Sequence, residues 1–331
     1  MAPKSPPARG YLVGVAAAAV LSTTAIFIRH LSRAYHLPPL VLAFWRDLFV
    51  VVSLAPVLGL ARRAELPVSP RELPFFAGYG LVLALFNALW TSSVALTGAA
   101  LATVLVYSST AFSVVLGRFW LAERLSLAKV AATLSSLAGC ALVAGVLKEA
   151  APRAEFLGVL LGVASGLCYA LYGLFGRTAA ERGHDPFTTL LYTFGFAALY
   201  LLALNLVLGP ALPGAASRPS ELLWLGGSLG GWGLLFALAA GPTVVGFGLY
   251  NVSLGYLPSS VANLVVTLEP VFTAITAYLL LGERLTPGQL VGSALILLGV
   301  LALRVFEARP GGAPPRAAAP GSSAAKGALE P

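Results

Sequence analysis

Residues 73–117 contain no Asp, Glu, Lys or Arg, and neither do residues 222–268. A helix that crosses a bilayer needs about 20 mostly apolar residues, so each run can hold two crossings. Shorter charge-free runs lie at 11–28, 48–61, 130–147, 156–176, 186–217 and 285–303. Only 10% of the 331 residues are charged, against roughly 25% in an ordinary soluble domain. The hydrophobic share is 58% and the mean hydropathy is +0.87. Such a chain cannot cover a water-soluble globule, which excludes soluble enzymes, nucleic-acid binders and secreted disulfide scaffolds. The net charge of +8 does not revive nucleic acid as a partner, because the basic residues are scattered between apolar runs. Cys140 and Cys168 both fall inside apolar runs and read as small buried hydrophobes.

The expected fold class is an all-α polytopic membrane protein with ten transmembrane helices. They are placed over 11–28, 40–60, 73–93, 100–121, 128–147, 156–176, 187–208, 232–254, 259–281 and 287–305. Pro, Gly and charge mark the breaks. Glu221–Gly231 reads as a Gly-rich loop or interfacial segment, and the tail 307–331 is too poor in large apolar residues to fold. With residues 1–10 and the tail both in the cytoplasm, that side holds 13 Lys and Arg and the other side 6. The positive-inside rule therefore favours cytoplasmic termini in an inner membrane. This places His36 outside and His184 inside.

The chain also repeats itself. Leu121–Ser126 (LAERLS) matches Leu281–Thr286 (LGERLT) at an offset of 160, which also superposes Ala102 on Ala262, Phe112 on Phe272 and Gly139 on Gly299. Earlier in each half, Arg29, His36 and Pro38 superpose on Arg177, His184 and Pro186 at an offset of 148. The difference of 12 is an insertion before the eighth helix. Two five-helix repeats result, 11–147 and 148–306. Five is odd, so the second enters the membrane inverted relative to the first. That is the plan of secondary transporters, with substrate near the midplane between repeats.

With these halves, several short motifs occur in order: Trp45-Arg46-Asp47, Gly241-Pro242-Thr243, Leu249-Tyr250-Asn251, Thr267-Leu268-Glu269-Pro270 and the two LxERL runs. Over residues 10–306 the chain resembles the EamA family of the drug/metabolite transporter superfamily. The resemblance implies export of small metabolites, often amino acids, by alternating access. One departure stands out: the family usually has Pro where this chain has Thr110, the repeat mate of Pro270. A bend in the fourth helix must then arise otherwise.

Glu269 is the sharpest single signal, since a charge in mid-membrane costs about 2.5–3.5 kcal/mol on insertion scales. It suits a group that loads and releases a proton, and equally a carboxyl that supports the helix break at Pro270. Arg46 lies near the middle of the second helix, and the resemblance implies an Arg at that position. It is a candidate for the cavity wall, with Asp47 as a structural neighbour. Because residues at i,i+1 do not face each other on a helix, each is expected to find its own partner. Asn87, Trp90, Tyr107, Tyr250, Asn251 and Asn263 are the further candidates for substrate binding. Ser108, Ser109, Tyr169, Tyr172, Tyr192 and Thr267 also place polar or aromatic groups in cavity-facing helices. Glu283 and Arg284, at a helix end, read as structural, and Thr286–Gln289 as a capping box. Gly158, Gly162 and Gly166, with Gly227 and Gly231, have the spacing of close helix contacts.

No metal site, ATP site or other cofactor is implied. All three His residues are expected in loops, which disfavours an intramembrane enzyme. The reading is a proton-coupled exporter of a small amphipathic metabolite, an amino acid among the candidates, with the lipid bilayer as its surroundings. Broad drug or metabolite efflux and passive facilitation remain open alternatives, as do the coupling ion and the oligomeric state.

Overall fold

Each apolar run becomes a helix, because in hydrocarbon a backbone must satisfy its own hydrogen bonds. A computed structural model describes residues 8–61, 68–120, 127–143, 153–212, 214–254, 256 and 265–307. Among them every regular element is helical. The first helices are α1 (Ala8–Ala34), α2 (Pro39–Ala61), α3 (Leu73–Thr97), α4 (Ala99–Val106), α5 (Ser109–Trp120) and α6 (Leu127–Val143). They are followed by α7 (Arg153–Glu181), α8 (Pro186–Val207), α9 (Leu229–Leu238), α10 (Gly246–Leu254), α11 (Glu269–Leu281) and α12 (Pro287–Glu307). A π-helical turn, Ala239–Val245, joins α9 to α10 around Pro242. Among the described residues seven segments are long and apolar enough to cross a membrane, and three shorter apolar helices lie at 130–140, 269–281 and 287–302. Large apolar side chains point outward, with Leu60 90%, Leu229 86% and Leu280 72% exposed, whereas Asp47, Asn87 and Thr193 are buried.

The ends of these helices follow from local sequence. Asp185 accepts from the backbone N–H groups of Phe187 and Thr188 at 2.9 Å each, capping α8 ahead of Pro186. Thr286 and Gln289 form the expected capping box of α12, with bonds of 2.9 and 3.3 Å. Gly282 stops α11 in the left-handed conformation, φ 65°. Directly after it, Glu283 does what helix-end charges are expected to do, and more. Its carboxylate accepts from Arg29 Nε at 3.1 Å and from the backbone N–H groups of Ala99 and Ala100 at 2.9 and 3.3 Å. Arg29 also donates to the carbonyl oxygens of Val94 and Ala95. One ion pair thus ties α1, the end of α3, the start of α4 and the α11–α12 loop. Gly98, at φ 100°, makes room for that carboxylate, which would lie 2.8 Å from any Cβ there.

Helices in lipid gain little from burying apolar surface against one another, so small residues set which faces meet. α3 packs on α7 and α8, as α9 and α10 pack on α1 and α2. α6 packs along α12. The contacts are reciprocal at the sequence offsets. A Cβ on Gly162 would meet Leu105 and Ser93, at 2.7 and 2.8 Å. One on Gly14, 148 residues earlier, would meet Val265 and Ser253, each 160 residues after its counterpart. Likewise a Cβ on Gly139 would lie 2.6 Å from the carbonyl oxygen of Gly292, and one on Gly299 3.1 Å from that of Ala132. Ser135 donates to the carbonyl of its own mate, Leu295, at 2.7 Å.

Several expectations change. His30 is exposed within α1, not in a loop, because that helix runs on to Ala34. The eighth span starts at Leu229, where the Ser228 hydroxyl caps it. Gly231 packs against Leu225 and Tyr35, but Gly227 has nothing within 4 Å and makes no helix contact. The fourth span does break without a proline. A turn at Tyr107–Ser108, with Ser108 N–H bonded to Leu105 O at 3.0 Å, separates α4 from α5. Its counterpart is the Thr267–Leu268 turn before α11, where Leu268 N–H bonds Val265 O at 3.1 Å. Gly166 of α7 lies against Ser108 and the Ser109 N–H, so tertiary packing supports the first break where Pro270 supports the second.

Two glycines of one helix give a test. Gly162→Leu should destabilise the protein by about 1–3 kcal/mol through overpacking. Gly173→Leu, which has nothing within 4 Å, should be near neutral. Chemical denaturation in detergent measures both, and equal effects would remove the glycine-contact account.

Candidate functional site

The helix breaks, the π turn and the middles of α1, α2, α3, α7 and α8 enclose a cavity of about 220 Å³. Six of the eight residues singled out from the sequence line it: Arg46, Asn87, Trp90, Tyr107, Tyr250 and Glu269. Asn251 lies on α10 with its side chain outside what the structure describes, and Asn263 lies outside the described residues altogether. Phe194, Phe247, Thr103 and Thr243 also line the wall and carried no sequence signal of their own. Tyr192 does not line it, and packs instead on Phe76 with ring centroids 5.4 Å apart.

Arg46 and Asp47 do pair, contrary to the expectation from their adjacency. Arg46 Nε lies 3.3 Å from Asp47 Oδ1. The long Arg side chain curls back along the helix, a reach that the Cβ directions alone do not show. Asp47 is fully buried, and Asn87 Nδ2 donates to both its oxygens at 2.9 and 2.6 Å. Asp47 is not in the cavity wall, whereas Arg46 is. The carboxylate thus anchors the guanidinium from behind and ties α2 to α3. The Arg46 guanidinium also sits 5.8 Å from the centre of the Trp90 ring, within cation–π range. Trp90 in turn stacks on Phe86 at 5.9 Å, and Phe86 meets Tyr169 at 5.4 Å.

Glu269 is the first residue of α11, after the Thr267–Leu268 turn, rather than a residue inside a continuous helix. A helix start favours a negative group through its unpaired N–H dipoles, so the break lowers the cost of a carboxylate at this depth. Tyr107 donates its hydroxyl to Glu269 Oε2 at 3.3 Å. Since Tyr107 occupies the other helix break, the two discontinuities meet at this pair.

Fourteen of the eighteen lining residues fall into seven pairs at the sequence offsets. Leu21 and Thr24 correspond to Tyr169 and Tyr172, and Arg46 to Phe194, at 148. Leu83, Asn87, Trp90 and Val106 correspond to Thr243, Phe247, Tyr250 and Val266, at 160. Both halves build the wall from the same positions.

The model of the EamA-like transporter family matches residues 8–145 and 156–305. The chain belongs to the EamA-like transporter family. A probable amino-acid metabolite efflux pump of Salmonella typhimurium is 29% identical over 281 residues, covering 83% of this chain and 88% of the relative. An uncharacterized transporter of Archaeoglobus fulgidus is 28% identical over 67% of this chain and 74% of its own. The threonine/homoserine exporter of Escherichia coli is 26% identical over 43% of each. A protein of known crystal structure superposes with a TM-score of 0.58 at 20% identity, over 89% of this chain and 96% of its own, a likeness of fold alone. This EamA-like chain is thus a multi-pass membrane protein of a transporter family.

The Arg46–Asp47–Asn87 cluster generates a stability prediction. Asp47→Leu should cost about 3–5 kcal/mol, because it strands a buried guanidinium. The double variant Arg46→Met with Asp47→Leu should recover much of that loss. Denaturant titration of the purified protein reads both, and a neutral single variant would show that the Arg46 guanidinium does not depend on Asp47.

Proposed function

We propose that this chain is a secondary transporter that exports a small amphipathic metabolite across the inner membrane by alternating access. In this reading ten helices span the bilayer as two inverted five-helix repeats, about 11–147 and 148–306, with both termini cytoplasmic. The observation that carries it is the cavity lined pairwise by positions 148 or 160 residues apart. The matching surroundings of Gly14 and Gly162, and of Gly139 and Gly299, support a two-fold relation between the repeats. The two matches to the family model, one in each half, support it as well. A wall shared by both repeats is what alternate opening to either side requires, since rocking one repeat against the other exposes it from opposite faces.

The size of the cavity, about 220 Å³, lies below the roughly 300–1,000 Å³ of drug-sized sites. It favours a small metabolite over broad drug efflux. Amino acids are the cargo in the names of two relatives, and Arg46 and Glu269 offer one group for each charge of a zwitterion. Glu269 is the coupling group of this reading: a carboxyl between two helix breaks, reached by the Tyr107 hydroxyl. As the repeats rock, the water it meets changes sides, and its proton can be loaded on one and released on the other. The transporter family supports carriage rather than chemistry as the activity.

The decisive experiment uses proteoliposomes and an imposed pH gradient. Glu269→Gln keeps shape and hydrogen bonding but cannot titrate. It should still exchange amino acids across the membrane yet lose accumulation driven by the gradient. If wild type and variant respond equally, Glu269 is a helix-break residue and the protein is a facilitator.

Topology has its own test. Single cysteines at His36 and His184, in a protein lacking Cys140 and Cys168, should label with an impermeant thiol reagent from opposite faces. Labelling from one face would rule out the inverted arrangement.

A further inference from the structure

The cavity wall is symmetric in position but not in chemistry. Where the first half places Arg46, the second places Phe194, and where the first places Asn87, the second places Phe247. At these two pairs the first half presents a cation and an amide, and the second half presents rings. An occupant that satisfies both must be polar at one end and apolar at the other.

The polar wall also specifies the sign of that end. The Trp90 indole N–H and the Thr103 hydroxyl are buried, 7% and 3% exposed by residue, and neither has a hydrogen-bond partner among the described residues. Both residues line the cavity. Burying a polar group without a partner is unfavourable, so such a pair in a cavity wall marks where a ligand atom belongs. An indole N–H can only donate, and so can a guanidinium. Arg46 uses Nε on Asp47, while Asn87 uses its amide N–H groups on the same carboxylate. The acceptor that would balance Arg46 is thus held behind the wall, so Arg46, Trp90 and Thr103 present donors beside a positive charge, while Glu269 of the same cavity accepts from Tyr107. A ligand must bring acceptor oxygens.

We propose that the transported metabolite is a carboxylate with an apolar tail, and that it binds in one orientation. Its carboxylate lies between Arg46 and the Trp90 N–H, with Thr103 alongside, and its tail lies against Phe194 and Phe247. This rests on the transporter reading above and names the substrate class of the same cavity. The planar guanidinium fork suits a carboxylate, and the aromatic wall gains contact area as the tail grows to ring size. An amine with the same tail can meet Glu269, but it leaves the Trp90 N–H unpaired and the Arg46 guanidinium without an acceptor on the cavity side.

The test is equilibrium binding to the full chain in lipid nanodiscs, by calorimetry, without any gradient. The probes are 3-phenylpropionate, L-phenylalanine and 2-phenylethylamine. Both carboxylates should bind at least tenfold more tightly than the amine. Trp90→Phe keeps the ring stacked on Phe86 but lacks the N–H, and should weaken both carboxylates about tenfold, as loss of a hydrogen bond to a charged group does. Thr103→Val, nearly the same shape, should weaken them in the same direction and serves should Trp90→Phe fail to fold. Phe247→Ala should weaken the phenyl carboxylates as well. Equal binding of the two carboxylates identifies a monoanion site. A preference for phenylalanine that Glu269→Gln abolishes identifies a zwitterion site, and both outcomes uphold the carboxylate. Amine binding as tight as carboxylate binding, carboxylate affinity unchanged in Trp90→Phe and Thr103→Val, or no carboxylate binding at all would overturn the proposal. The gradient experiment on Glu269 decides transport independently, so a selective binder that ignores a pH gradient would sink the coupling and not the site.

Discussion

The fold depends on one constraint: a backbone surrounded by hydrocarbon must close its own hydrogen bonds. Uninterrupted helix is therefore the rule at the lipid face, and each interruption needs a protein surround. The breaks obey this. The Tyr107–Ser108 turn is covered by Gly166 of α7, and the Thr267–Leu268 turn leads into Glu269 on the cavity wall. The π turn at Ala239–Val245 contributes Thr243 to the same wall. Irregular backbone gathers around one internal space, where exposed N–H and C=O groups and polar side chains can serve a ligand instead of costing stability.

Holding such interruptions in place takes contacts that apolar side chains alone do not specify in lipid, where packing and polar ties decide which helix faces meet. Glycines supply the close approaches along α7, α6 and α12. Two charge clusters, one partly and one fully buried, supply the ties. Glu283 with Arg29 fastens three helices and a loop at one end of the bundle. Asp47 with Asn87 and Arg46 fastens α2 to α3 beside the cavity. The clusters differ in one respect that bears on function. Arg29 also donates to backbone carbonyls of α3, whereas Arg46 keeps donors directed at the cavity.

The reciprocal wall positions and the unequal residues that fill them serve different needs. In the proposed transport cycle, equal positions let the same space open toward either face. Unequal residues give the occupant a head and a tail. An inverted pair of identical halves would bind a substrate in two opposite orientations with equal affinity. Arg46 against Phe194 breaks that degeneracy by the difference between a hydrogen-bonded cation and an aromatic ring.

The sequence by itself determined the apolar helical segments and most of their ends, because these are local: charge-free length, Pro and Gly punctuation, the Thr286–Gln289 box and Asp185 each act within a few residues. It also pointed to Arg46, Asn87, Trp90, Tyr107, Tyr250 and Glu269, since a polar group in an apolar run is costly unless something meets it. Phe194 and Phe247 were not legible in the same way, because an aromatic residue in an apolar run is unremarkable. The repeat offset carried from Arg46 and Asn87 is the signal that reaches them. Only the tertiary structure decided the partners. The Arg46–Asp47 pair depends on how a long side chain curls, the break at Tyr107 forms with Thr110 in place of a proline, and His30 lies in a helix that outruns its apolar stretch. The clasp of Glu283 on Arg29 joins residues 254 apart. Pairings over such distances follow from which helix faces meet, and in a bilayer that choice rests on glycine contacts and buried polar groups spread along the whole chain.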